Sequence, residues 1–387
     1  MANFLKSYEV TLKVVGPVFI GSGEELQKRD YITLQDEQSI AVLDMSKLFM
    51  YIKKKGRITQ NLFERFMSDG KSNDLTAWIQ QNKLDLYDII DKCLKYKLDY
   101  GQTTLEDDTT AAIKTFIKNA YGEPYIPGTS LKGMFRTILL GSSILNGNIR
   151  LNINDIDITN KKNLRRTKYL KKDIGKIEQN AFNNLNRPES KKGDAVNDLM
   201  AGFRVSDSIP ISTNDLVLCQ KIEYHLAADM TDGSKETRLN LIRECIKPGT
   251  EIKFTLTIDT SICKIKVEQL EEAIKTFNAC YSECFVKPFI GTDKSSEMDM
   301  YIDILSDKQM VLGGGAGFVS KTVVYPIYGK KEGINKTKTI FENTNVAIDH
   351  NHQYDHKASP HILKCTHFEG KTVQFGICEL NDIRPLN

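Results

Sequence analysis

The chain has 387 residues, of which 40% are hydrophobic and 27% are charged. These fractions match ordinary globular proteins, so they exclude a fibrous or largely disordered chain and allow one elaborated domain or two smaller ones. No apolar run reaches the roughly 18 residues of a membrane span, and residues 1–13 lack a secretory pattern, so we expect a cytoplasmic protein without a membrane partner. The 53 basic and 50 acidic residues leave a net charge of +3, so any polyanion site must be a local patch.

Residues 1–149 have the pattern of a β-rich core with a helical insertion. Apolar and polar residues alternate over residues 8–20, and a Gly-Ser-Gly turn is expected directly afterwards. Two further strands are expected at residues 30–34 and 40–43. Helical periodicity then predicts an insertion over about residues 46–95. Its four helices are expected at residues 46–55, 59–67, 73–81 and 84–94.

The rest of the chain divides into a polar segment and a second part of the core. Residues 150–200 are rich in Lys and Asn and predict an exposed, basic insertion. Residues 201–387 return to core-like patterns, with a glycine-rich loop at residues 313–318. The elements expected there are strands at 216–226, 251–257, 322–327, 362–365 and 372–378, a helix at 267–285, and a polar loop at 332–356.

The eight cysteines are typical of reduced thiols in packing positions, because the chain is long and lacks an export signal. Cys280 and Cys284 are separated by three residues in a helical pattern, and no second pair follows at metal-ligand spacing. We therefore expect no zinc site at this pair.

The glycine-rich loop is the first candidate for phosphate binding. Gly313, Gly314, Gly315 and Gly317 fall within five residues, and Lys321 lies just beyond them. Without side chains, the main-chain N–H groups can approach a phosphate closely. A plain glycine-rich turn between strands explains the pattern equally well. The loop is not a Walker sequence, because no Gly-Lys-Ser/Thr follows it.

A second candidate is the helix expected to start at Thr129 or Ser130, after a Pro-Gly turn. The free N–H groups and the positive dipole end of a helix attract phosphate. Lys132 and Arg136 are four residues apart, so they share one helix face near that end. The alternative is a capped amphipathic helix carrying two solvated cations.

A third candidate is the run of residues 161–172, which holds seven basic residues and no acidic one. Arg165, Arg166 and Lys168 lie at its centre, beside Tyr169 as a group on which a base could stack. Such runs often form only solvated surface. This one is long and unbalanced in a nearly neutral chain, which favours contact with nucleic acid.

Catalytic patterns are weak in this sequence. His350, His352 and His356 could ligate a metal, but their polar surroundings favour a surface loop, so we expect no metal site. His225 lies in a strand-like run and is typical of a core or rim residue. Asp30 follows the Gly-Ser-Gly turn and could be a functional carboxylate. An ordinary polar residue at the start of a strand is an equally plausible interpretation.

Five segments, taken in order, resemble the motif series of the CRISPR-associated RAMP superfamily, and within it the type III-A Csm subunit family that caps the guide RNA. They are residues 18–23, 30–32, 125–133, 204–207 and 313–318. The resemblance implies an α+β fold: an RRM-like, ferredoxin-like antiparallel sheet core with helical and basic insertions, and room for a second, degenerate ferredoxin-like half.

The resemblance also implies a function. The family subunit is non-catalytic, needs no cofactor, caps the backbone filament at the 3′ end of the CRISPR guide RNA, and supports guide maturation by recruited host ribonucleases. Its partners are the guide RNA and the neighbouring Csm backbone subunits. The expected RNA-binding residues are Gly21, Ser22, Ser130, Lys132, Arg136, Arg165, Arg166, Lys168, Gly313, Gly314, Gly315, Gly317 and Lys321.

An endonuclease acting on CRISPR RNA, dependent on a metal or on histidine, is the alternative function. In the related backbone subunit, an aspartate on the loop after the first strand cuts target RNA, and Asp30 lies in a comparable place. Here Tyr31 and Ile32 follow it instead of small residues, which weakens the correspondence. His225 is the other candidate, and the absence of any histidine before it argues against an early catalytic base.

Overall fold

The computed structural model describes residues 4–69, 73–103, 112–149, 171–226, 236–289, 306–343, 352 and 355–386. The strands are β1 Leu5–Val14, β2 Gly21–Leu26, β3 Tyr31–Leu34, β4 Ser39–Leu43, β5 Leu94–Asp99, β6 Ile113–Phe116, β7 Phe203–Val205, β8 Leu216–His225, β9 Glu236–Ile246, β10 Glu251–Asp259, β11 Gln309–Val311, β12 Ile362–Phe368, β13 Lys371–Gln374 and β14 Ile377–Pro385. The helices are α1 Met45–Lys54, α2 Arg57–Ser68, α3 Leu75–Gln81, α4 Leu86–Cys93, α5 Gly128–Leu145, α6 Lys171–Phe182, α7 Val267–Tyr281 and α8 Val324–Glu342.

The first sheet confirms the predicted ferredoxin-like core. Its strand order is β11-β14-β1-β10-β7, and every neighbouring pair is antiparallel. Along the chain, β1, α5, β7, β10, α7 and β14 follow the βαββαβ order of that fold. The buried ring of Phe135 on α5 lies against Phe203 and Phe254 of the sheet. Residues 1–149 and 201–387 of the predicted division therefore share one hydrophobic core.

The second sheet is built from insertions into three connections of that core. Its order is β2-β6-β9-β8-β5-β4-β3, with β12 pairing to β8 and β13 to β12. The β1–α5 connection supplies β2 to β6, the β7–β10 connection supplies β8 and β9, and the α7–β14 connection supplies β12 and β13. A second, degenerate ferredoxin-like half was expected. In its place, the second sheet is assembled from separate stretches of the chain and not from one contiguous βαββαβ run.

The helical insertion forms as predicted and packs on β3 and β4. Asp44, Asp74 and Asp85 precede α1, α3 and α4, and each carboxylate accepts a hydrogen bond from an N–H in the first turn. The helices enclose their own apolar cluster, in which the rings of Phe63 and Trp78 meet edge to face with 5.2 Å between centroids. Capping residues and apolar spacing specify this region locally, which explains why the sequence predicts it well.

Several predicted elements are wrong. Gly21 opens strand β2 instead of a turn. Residues 322–327 were expected as a strand and 332–356 as a loop, yet α8 covers most of this stretch. Burial of Tyr325 and Phe341 against a second apolar cluster outweighs the β propensity of its first residues. Strand β9 was missed, because its sequence is rich in charged residues although Arg243 and Glu244 are buried.

The basic insertion is only partly within the described residues. Residues 150–170 lie outside them. From residue 174 to residue 200, most side chains are exposed or half-buried, whereas Ile177 and Phe182 are buried in the main core. The cysteine prediction is confirmed: all eight thiols are free and seven are buried. Within the described part, no helix combines the length and apolar character needed to span a bilayer.

Candidate nucleic-acid interface

The glycine-rich loop lies where the chain crosses from the first sheet to the second. The N–H of Gly314 donates to the carbonyl of Phe19, at 2.8 Å, and Phe19 lies on the connection between β1 and β2. Gly313 has a φ of 85°, and a Cβ there would lie 2.4 Å from the same carbonyl oxygen. Only glycine fits this position. The absence of a side chain lets the loop pack directly on the connection between β1 and β2.

Phe19 also joins this loop to the early glycine motif. A Cβ at Gly21 would lie 3.1 Å from the Phe19 ring, so Gly21 sits on one side of the residue whose carbonyl holds Gly314. Next to it, the hydroxyls of Ser22 and Thr115 are 2.5 Å apart, and the Glu24 N–H donates to Ser22 Oγ. Two motifs almost 300 residues apart in sequence are therefore neighbours in space.

Arg243 of β9 lies behind the loop, and sequence reasoning missed it. Its guanidinium is stacked between the rings of Phe19 and Phe375, with 5.3 and 5.6 Å to their centroids. The residue is only 8% exposed, and its Nε and Nη1 have no hydrogen-bond partner among the described residues. A Cβ at Gly315 would be 3.7 Å from Nη1, so the loop packs closely over this nitrogen, which is out of contact with solvent.

The electrostatics of Arg243 follow from its burial. Loss of solvent lowers the pKa of the guanidinium from its ordinary value, and only neighbouring thiols oppose that effect. A buried charge without a carboxylate is costly, and contact with two aromatic faces offsets only part of that cost. No local pattern marks Arg243, because its surroundings come from the β1–β2 connection, the glycine-rich loop and the segment before β14.

Two lysines flank the loop. Lys321 follows the short turn Phe318–Ser320 and is exposed. Lys364 of β12 packs its stem near Gly317, where a Cβ would lie 3.2 Å from Lys364 Cγ. Its ammonium forms an ion pair with Glu223. The positive charge of Lys364 next to the loop is therefore already balanced by Glu223. Lys321, in contrast, projects into solvent.

The start of α5 differs from its prediction. Pro127 is the N-cap, and the N–H of Gly128 donates to Asp207 Oδ1 at 2.7 Å. Ser130 does not cap the helix; its N–H donates to the Pro127 carbonyl. A Cβ at Gly128 would lie 2.3 Å from the Val205 carbonyl oxygen. The two motifs at residues 125–133 and 204–207 thus form one structural unit, with a carboxylate of the chain itself at the positive end of the helix.

Lys132 and Arg136 both have partners within the chain. Lys132 Nζ donates to the Met200 carbonyl at 2.7 Å, and burial lowers its pKa. Arg136 is 2.7 Å from Asp198 Oδ2, and its guanidinium lies 4.2 Å from the centroid of the Phe182 ring. These contacts fasten α5 to the segment that contains α6.

The predicted groove lined by both the glycine loop and the two cations of α5 is not formed. Met134, Thr137 and Ile138 are the α5 residues that share a groove with Ser320, just beyond the loop. With 3.6 residues per turn, Lys132 and Arg136 lie about 170° around the helix from that side. The loop's nearest buried cation is Arg243 instead.

The remaining predicted residues lie elsewhere or outside the described part. The Asp30 carboxylate accepts a hydrogen bond from the Gln27 N–H at 2.7 Å, closing a tight turn before β3. His225, at the end of β8, has its Nε2 3.1 Å from Thr237 Oγ1. The predicted basic residues Arg165, Arg166 and Lys168 lie outside the described residues.

Comparison with known proteins agrees with the motif resemblance. A family model described as the RAMP superfamily matches residues 11–350. A CRISPR system Cms protein Csm5 from Mycobacterium tuberculosis (strain ATCC 25618 / H37Rv) is 28% identical over 406 aligned positions, which cover 98% of this chain and 99% of that protein. The Csm5 protein of Streptococcus thermophilus is 28% identical over 335 positions, covering 84% of this chain and 82% of that one.

Two solved structures share the fold. A chain in a cryo-EM structure of a Csm-crRNA-target RNA ternary complex from a type III-A CRISPR-Cas system superposes with a TM-score of 0.62 at 20% identity, covering 97% of this chain and all of that one. The crystal structure of T. onnurineus Csm5 gives a TM-score of 0.59 at 19% identity, covering 96% of this chain and all of that one.

Proposed function

The chain belongs to the RAMP superfamily, and on that premise we propose that it is a non-catalytic RNA-binding subunit of a type III-A CRISPR effector ribonucleoprotein. In this proposal it caps the backbone filament at the 3′ end of the guide RNA, beside the neighbouring Csm backbone subunits. There it supports guide maturation, with host ribonucleases as recruited partners, and antiviral defence. The near full-length similarity to Csm5 proteins supports the assignment to this complex.

The observation that carries the proposal is Arg243 behind the glycine-rich loop. A phosphate admitted by a shift of the glycine-rich loop would give the buried Nε and Nη1 the acceptors that they lack among the described residues. Charge-assisted hydrogen bonds to phosphate are strong where water is excluded. Contacts to phosphate carry no sequence information, so binding of this kind suits a guide RNA of any sequence.

We assign the RNA contacts to the two glycine motifs around Phe19, with Arg243 at their centre and the basic run as a further contact. The motifs contribute Gly21, Ser22, Gly313, Gly314, Gly315, Gly317 and Lys321, and the run contributes Arg165, Arg166 and Lys168. Ser130 lies on the groove side of α5. Lys132 and Arg136 act as positioning residues, because their contacts hold α6 and residues 198–200 on the core.

The endonuclease alternative receives no support from the contacts of its candidates. The Asp30 carboxylate closes a turn, and the His225 ring is hydrogen-bonded to the hydroxyl of Thr237. Incubating the purified protein with precursor RNA, with and without Mg²⁺, tests this alternative directly. Defined cleavage that is lost in Asp30→Ala or His225→Ala would establish the enzyme instead.

The experiment that tests the RNA site compares Arg243→Gln with Arg384→Gln. Both remove one positive charge, but Arg384 is 65% exposed and pairs with Glu9. It lies seven residues along β14 from Ile377, about 23 Å from the end of the strand next to the loop. Losing hydrogen bonds from a buried guanidinium should weaken binding of single-stranded guide RNA by about 10- to 100-fold, whereas Arg384→Gln should change it little.

Affinity is measured by filter binding at several salt concentrations, with circular dichroism and thermal melting to verify folding. If the two variants weaken binding equally, the effect is one of net charge and the Arg243 site is refuted. Lys321→Gln provides a further measurement at an exposed residue that a folding defect does not complicate. The 3′-end placement is tested separately, by sequencing guide RNA ends from complexes assembled with and without this chain.

A further inference from the structure

A buried cluster of two histidines and an aspartate lies where the segment after α8 enters strand β12. His352, Asp355 and His361 have side chains that are 3%, 0% and 7% exposed. One ligand atom from each, an imidazole nitrogen or a carboxylate oxygen, lies within 4.8 Å of the others. The sequence pointed to His352 only as part of a surface loop with His350 and His356; His350 lies outside the described residues and His356 is exposed.

The backbone around the cluster is buried although residues 355–361 form no helix or strand. Ser359 is fully buried, and the Tyr325 hydroxyl donates to its carbonyl at 2.7 Å. The ring of Phe341 stacks on the His352 ring, with 4.4 Å between centroids. Irregular backbone in an apolar interior needs polar partners, so the polar side chains of this cluster stabilise the buried segment.

The three side chains present atoms that transition metals prefer. His352 Nδ1 is 3.0 Å from Asp355 Oδ2, and His361 Nδ1 approaches Oδ1 of the same carboxylate. Ser359 Oγ donates to Oδ2 at 2.5 Å, which orients the carboxylate from outside the set. Each imidazole can present Nδ1 to a metal after its proton moves to Nε2, and the ligand atoms then separate slightly to admit the ion.

The Asp355 carboxylate is fully buried, and its polar neighbours include the two imidazoles. The ion pairs of Asp355 within the described part of the chain are with the two histidines alone, and none involves Lys or Arg. Two imidazoles and a carboxylate can coordinate one divalent cation together, and that ion would supply the positive charge that Lys and Arg do not.

We propose that His352, Asp355 and His361 bind one divalent transition-metal ion of the zinc class. Imidazole and carboxylate ligands suit such an ion, and three protein ligands leave one coordination position for a small molecule. All three ligand side chains are buried, so we assign the ion a structural role, in which it joins His352 to residues 355–361 ahead of β12. This inference is independent of the RNA-binding proposal.

The test is metal analysis of the full-length protein expressed with added Zn²⁺. Inductively coupled plasma mass spectrometry should find one zinc per chain in the wild type and almost none in His361→Ala or His352→Ala. His367→Ala is the matched control: it removes an imidazole from β12, the strand that follows the cluster, where His367 pairs with Glu236 at 2.9 Å. This control should retain the metal.

A second measurement does not depend on whether the histidine variants fold. After chelation with EDTA, Zn²⁺ added to the wild type should raise its melting temperature, and Co²⁺ should give visible d–d absorption. Ser359→Ala should weaken Zn²⁺ affinity about 10-fold through loss of the hydrogen bond that orients Asp355. Wild-type protein without bound metal and without a melting shift would show a purely hydrogen-bonded cluster and overturn the proposal, as would folded histidine variants that keep the zinc.

Discussion

The start of helix α5 and the glycine-rich loop look alike in sequence, as glycine-containing turns next to basic residues, but the structure uses them differently. At α5, the helix end faces Asp207, and Arg136 pairs with Asp198. At the loop, Arg243 is buried with two nitrogens that have no partner among the described residues. The cations of α5 are balanced by carboxylate and carbonyl groups of the chain, whereas Arg243 is a buried cation without a counter-charge among the described residues.

The difference shows that the position of a basic residue matters less than whether the fold already supplies its counter-charge. A cation paired inside the chain stabilises the fold and gains little from a phosphate, since the new contact must replace an existing one. A cation without a carboxylate gains the whole interaction when the ligand binds. Substitutions at α5 should therefore change stability, and substitutions at the loop should change RNA affinity.

The largest effect is expected for Gly128→Ala. The new Cβ would lie 2.3 Å from the Val205 carbonyl oxygen and 2.7 Å from that of Ser206, and backbone cannot move aside as a flexible side chain can. Overpacking of this kind should lower the free energy of unfolding by about 3 kcal/mol. Urea denaturation followed by circular dichroism measures it. An unchanged midpoint would mean that α5 and the segment after β7 are not packed as described.

A smaller effect is expected for Arg136→Gln. It removes an ion pair with Asp198 that is about a quarter exposed and the stacking on Phe182, which together should cost about 1 kcal/mol of unfolding free energy. Arg384→Gln, which disrupts a more exposed ion pair, serves as the control and should cost less.

RNA affinity provides the decisive part of the same experiment. Measured on the folded fraction of Arg136→Gln, it should stay close to that of the wild type, in contrast to Arg243→Gln. A loss of RNA binding in Arg136→Gln as large as that in Arg243→Gln would reverse the roles that we assign to the two sites.

The sequence predicts those parts of the molecule whose determinants are local. The helical insertion follows from aspartate caps and apolar spacing, and the glycine-rich loop is visible as a composition. The ferredoxin-like core was predicted only through the resemblance of short motifs, because its strands are separated by long insertions. Helix α8 was missed, since its stability comes from burying Tyr325 and Phe341 against distant residues.

The candidate site could be predicted only in part, for the same reason. The spacing of Lys132 and Arg136 correctly places them on one helix face, but nothing near them in sequence reveals that residues 198–200 cover that face. Arg243 lies in a strand that reads as polar, and its position behind the loop depends on strand pairing across the second sheet. Contacts between residues so distant in sequence leave no pattern in a single chain.

The smallest effect, on stability alone, is expected for Gly133→Ala. Gly133 is exposed within α5, and a Cβ there would meet nothing within 4 Å. Alanine in a helix interior should raise the free energy of unfolding by about 0.5 to 1 kcal/mol relative to glycine. Because we place the RNA at the glycine-rich loop, filter binding should give an affinity equal to that of the wild type. A clear fall in affinity would instead indicate RNA lying against this bare face of α5, since a single added methyl group can hinder only a ligand that approaches it closely.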